Sequence, residues 1–92
     1  MTNSTPEFVA KVIITVMDDD PSKIIEAQDD AKFMIESGAD FGCTRAELMA
    51  EYALVMFKRM NTESFPELKT LTDDDETTVE NLIANHITSK GW

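Results

Sequence analysis

Cysteine and histidine each occur once in the 92 residues, and glycine occurs three times. A lone Cys43 cannot close an intrachain disulfide, which fits a reducing, cytoplasmic compartment. With His86 as its only histidine partner it also falls short of a zinc ligand set, so no metal and no cofactor is expected. Three scattered glycines leave no phosphate-cradling loop. No nucleophile stands in a pattern with His86, so no catalytic residue is assigned and an enzyme is not expected.

Basic residues are also scarce. Eight Lys and Arg stand against 18 Asp and Glu, a net charge of −10. Direct contact with nucleic acid needs a basic patch that displaces counterions, so it is not expected. The first six residues hold no Lys or Arg, as a signal-peptide start would require. The longest apolar stretch, residues 8–17, is interrupted by Lys11 and is half of the roughly 20 residues a membrane helix needs.

What the chain does have is a 42% apolar share spread along its length, enough for one folded domain over 1–92 with a short tail at 1–4. The fold class expected is all-α, a small bundle of about four helices. Thr5, Pro6 and Glu7 start the first: a capping hydroxyl, a proline at the first position, and an acid at the positive dipole end. Residues 8–17 also alternate as a strand would and are rich in β-branched types, so a strand stays open there. No second strand is evident to pair with it.

Asp20 and Pro21 open the second helix, with Ile24, Ala27, Gln28, Ala31, Met34 and Ile35 on its inner face and Gly38 at its end. Thr44 and Glu47 form a capping box for a third helix over 45–60. That helix is apolar nearly all round, with a thin polar stripe of Glu47, Glu51 and Lys58 into which Leu54 falls. Such a helix is central to the fold or shared with a second chain. Phe65 and Leu68 close the core, and Thr72 caps a fourth helix carrying Val79, Leu82, Ile83 and Ile87 inward.

Neither acidic run, at 18–20 or 73–75, has the glycine and terminal glutamate of a calcium loop; both precede helices, whose N-termini they stabilise. Cys43, just before a helix start, is placed where its pKa could fall, but a lone thiol without a partner base reads as structural. Trp92 is open between an exposed anchor and a residue folded back on the bundle.

The most informative feature lies on the second helix. If Ala31 and its neighbours point inward, Phe33 points outward, ringed by Glu26, Asp29, Asp30 and Ser37. An exposed aromatic with a charged rim resembles an interface anchor. The functional expectation is a non-enzymatic module that docks on a basic protein partner. Phe33 would supply apolar contact, and Glu26, Asp29 and Asp30 with Asp18, Asp19 and Asp20 the charge complementarity. A narrower form is an inhibitor of a nucleic-acid-handling protein that competes as a DNA mimic. The alternative is a structural homodimer through helix 45–60 without a small-molecule ligand.

Overall fold

The computed structural model describes residues 5–61, 63 and 65–92. The expected tail at 1–4 and loop residues Thr62 and Ser64 lie outside these. Among the described residues four α-helices follow one another: α1 (Thr5–Asp19), α2 (Pro21–Glu36), α3 (Arg45–Asn61) and α4 (Asp73–Lys90), with a 3₁₀ turn at Pro66–Thr70 before α4. The fold is all-α, with no strand among the described residues.

Residues 8–17 are helical. Val9, Ala10, Ile13 and Met17 are buried, a spacing that only a helix brings to one side. Packing of that side on α4 outweighs the β-propensity of the segment. On the outer stripe, Thr15 donates its hydroxyl proton to the Lys11 carbonyl at 2.8 Å.

The helix starts are set by local chemistry. The Asp20 carboxylate accepts from the Ser22 backbone N–H at 3.1 Å and from its hydroxyl at 2.6 Å. Those bonds, the hydroxyl's first and then the N–H, together with the Lys23 charge hold the Asp20 carboxyl below its ordinary pKa against opposing desolvation. At α3 the Glu47 N–H donates to Thr44 Oγ1 and the Thr44 N–H donates to Glu47, at 3.1 and 2.7 Å. Thr72 and Asp75 repeat this box at α4, both bonds 3.1 Å.

Two ends use the left-handed glycine that other residues adopt only with strain. Gly38 (φ 78°) closes α2, its N–H donating to Ile35 and that of Ala39 to Met34. Gly91 (φ 73°) does the same for α4, and the Trp92 N–H then reaches the Ile87 carbonyl at 3.0 Å. Trp92 is thereby folded back: its ring meets His86 edge to face, and its backbone oxygen accepts from Gln28 Nε2 at 2.7 Å.

The helix α3 is central, packed on α2 along one side and α4 along the other. Leu54 corrects the sequence reading. It is buried in this chain's own core, because the outer stripe runs through Glu47, Glu51, Val55 and Arg59. Ile35 is the second correction: it is 42% exposed and does not join the core. It sits in the last turn of α2, beside a shallow surface depression with Lys32 and Arg45. Leu68 is buried, and Phe65 meets Phe8 and Phe57 edge to face, each at 5.6 Å between centroids, so the 3₁₀ turn closes that end of the bundle. No helix among the described residues is long and apolar enough to cross a membrane.

Candidate functional site

The rotation of α2 is fixed by two alanines. Ala27 and Ala31 are fully buried, and their small side chains let the helix backbone lie close on α3. The opposite face must then meet solvent. Phe33 stands there 67% exposed, and Ile25, two turns earlier, is 55% exposed. Asp29 lies between them, so an apolar, acidic, apolar row runs along one line of the helix.

Glu26 and Asp29 are exposed, whereas Asp30 is half-buried and leans toward α3. Burial first, then the charges of Glu26 and Asp30, push the Tyr52 hydroxyl above its ordinary pKa. Those two acids thus stand at the seam with α3. Lys32 is exposed on the outer side, so the negative surface is not unbroken.

The three acids at the α1–α2 junction separate into different roles. Asp20 is engaged as the α2 cap. Asp18 and Asp19 are exposed on the last turn of α1, where the helix dipole already carries negative charge. The Asp18 carboxylate lies 3.8 Å from His86 Nε2, beyond hydrogen-bond length. His86 itself is half-buried at the edge of the core, against Trp92.

Three features escaped the sequence reading. Ile25 belongs to the outer face of α2, and its i, i+4, i+8 relation to Asp29 and Phe33 would have found it. A second acidic seam joins α3 to α4. There burial, then Glu51 and Glu76, raise the Glu80 carboxyl above its ordinary value, while Lys58, paired with Glu76, opposes the shift. Cys43 does not gain the lowered pKa that its place before α3 left open: its thiol is raised. Desolvation comes first, followed by the charges of Glu47, Glu51, Asp40 and Glu80, which outweigh any help from the nearby α3 N-terminus.

The third feature is an apolar groove of about 190 Å³ between α1 and α3, with the early turns of α2 at its edge. It opens because α1 packs chiefly on α4 while α2 packs chiefly on α3, leaving α1 and α3 with little direct contact. Comparisons of the chain with protein-family models, with curated proteins and with solved structures gave no match.

Proposed function

We propose that this chain is a non-enzymatic protein-binding module that docks on a basic protein surface through the outer face of α2. The observation that carries the reading is Phe33, 67% exposed beside an exposed Ile25, with Glu26 and Asp29 on the same face. Burying a phenylalanine ring stabilises a complex by about 1.5–3 kcal/mol. The surrounding carboxylates and the net charge of −10 attract a cationic surface from a distance and hasten encounter.

The placement of charge supports this reading, since stability alone favours another. Glu26 and Asp30 repel each other at i, i+4 at a cost of a few tenths of a kcal/mol. The last turn of α2 has no basic residue and its first turn carries Lys23, although the Asp20 cap in front of it supplies the acid that the dipole prefers. A cationic partner offsets the repulsion between Glu26 and Asp30 on binding. The narrower form, inhibition of a nucleic-acid-handling protein by DNA mimicry, asks for a continuous row of acids. Lys23 and Lys32 interrupt that row on α2, so the broader reading is put forward. The lone Cys43 fits a cytoplasmic setting.

The alternative of a homodimer through α3 no longer has Leu54 as support. It keeps Val55 and Met60, 43% and 64% exposed. Sedimentation at micromolar concentration separates the two readings, a 10.3 kDa species favouring the heterologous one. For the main reading, a partner is captured from the native host at low salt and purified. Its association rate with this chain should then fall steeply as salt rises. A salt-independent rate, or an acidic partner, would reject the reading.

A further inference from the structure

The groove between α1 and α3 is distinct from the Phe33 face yet continuous with it, because Glu26 belongs to both. Buried Ile13 and Met17 of α1 line it together with Val16, Met56 and Met60, and Lys23 and Glu26 stand at its edge. We infer that this groove receives a bulky apolar side chain from a basic amphipathic segment of the protein that docks on α2. The inference rests on the reading of a basic partner, but it uses different apolar residues.

Size, lining and charge each narrow the occupant. Pockets for cofactors and drug-sized ligands run to about 300–1,000 Å³, so a groove of about 190 Å³ suits a side chain and not a whole small molecule. Methionines at positions 17, 56 and 60 give a flexible, polarizable lining that adapts to leucine, methionine or phenylalanine alike. An apolar anchor presented from one face of a helix is a recurring way to fill such a groove.

The charge argument selects the flanks of that anchor. The rim holds one acid, Glu26, beside one base, Lys23, while Asp18 lies toward His86 of α4. An anionic amphiphile such as a fatty acid would meet Lys23 but would approach against a net charge of −10. A second copy of this chain would bring the same −10 with it. A cationic segment is attracted by Glu26 and by the net charge of the whole molecule.

The test uses two short helical peptides of equal charge, one of leucine and lysine, one of alanine and lysine. They are titrated into the full chain carrying ¹³C-methyl methionine. The methyl signals of Met17, Met56 and Met60 should move and saturate with the leucine peptide, while that of the fully buried Met49 stays. The alanine peptide should bind about tenfold more weakly or worse and leave those methyls in place. Met60→Gln, at a 64% exposed site that tolerates the change, should weaken the leucine peptide and spare the alanine one. Equal binding of the two peptides, or still groove methyls, overturns the inference. So does movement of the same signals with protein concentration alone, which would make a second copy the occupant. Failure of the α2 reading shows separately, as Asp29→Lys and Asp30→Lys leaving the affinity of both peptides unchanged.

Discussion

Leu54 and Val55 are adjacent on α3 but only one joins the core: Leu54 is 1% exposed and Val55 is 43% exposed. Leu54→Ala should therefore cost about 2–5 kcal/mol, the range for emptying a packed leucine site. Val55→Ala should stay within about 0.5 kcal/mol. Urea unfolding of the two variants checks this. Equal, small losses would mean that α3 is rotated from the position described.

Gly91 ends α4 with φ 73°, and a Cβ built there meets nothing within 4 Å. Its conformational freedom is thus what the site uses, not lack of space. Gly91→Ala should cost about 1 kcal/mol through backbone strain. In a domain of this size that lowers Tm by roughly 4–8 °C. The hydrogen bond from Gln28 to Trp92 and the Trp92–His86 contact should loosen with it, so the tryptophan fluorescence should shift before global unfolding.

The Glu80 carboxyl is raised above its ordinary pKa of 4.5, so the folded chain holds this proton more tightly than the unfolded chain. Ionising Glu80 then costs stability, which falls as pH rises from 4.5 through the raised value and stays lower above it. Glu80→Gln removes the penalty. Its Tm should exceed that of the parent chain at neutral pH, and the difference should vanish on acidifying below pH 4.5. A variant less stable at neutral pH would show that Glu80 holds a favourable contact outweighing its repulsion by Glu51 and Glu76.

The starts of three helices were legible because each is decided within four residues: Asp20 with Ser22, Thr44 with Glu47, and Thr72 with Asp75. The exposure of Phe33 followed from helix phase once Ala31 was set inward. What stayed hidden depends on how helices meet. Ile35 has the right phase for the core but lies in the last turn of α2, beside Lys32 and Arg45. Leu54 and Val55 exchange roles because α3 is packed on two sides, so that the exposed stripe keeps Glu47 and Glu51 but continues through Val55 and Arg59 instead of Leu54 and Lys58. The raised Cys43 thiol follows first from desolvation and then from Glu47 and Glu51, to which the packing of α4 on α3 adds the smaller contribution of Glu80. The groove beside Met17 and Met60 exists only because α1 and α2 lean on different neighbours.

The central claim is that Phe33 is an interface anchor on a face that the fold itself does not need. Its most direct test is the dissociation rate of Phe33→Ala from the purified basic partner, read alongside its Tm. Truncating a central aromatic at an interface commonly costs about 2 kcal/mol or more in binding. Dissociation should therefore quicken by more than about tenfold, while Tm stays within a degree or two of the parent, as expected for a surface substitution. An unchanged dissociation rate, with Tm lowered by many degrees, would contradict the account.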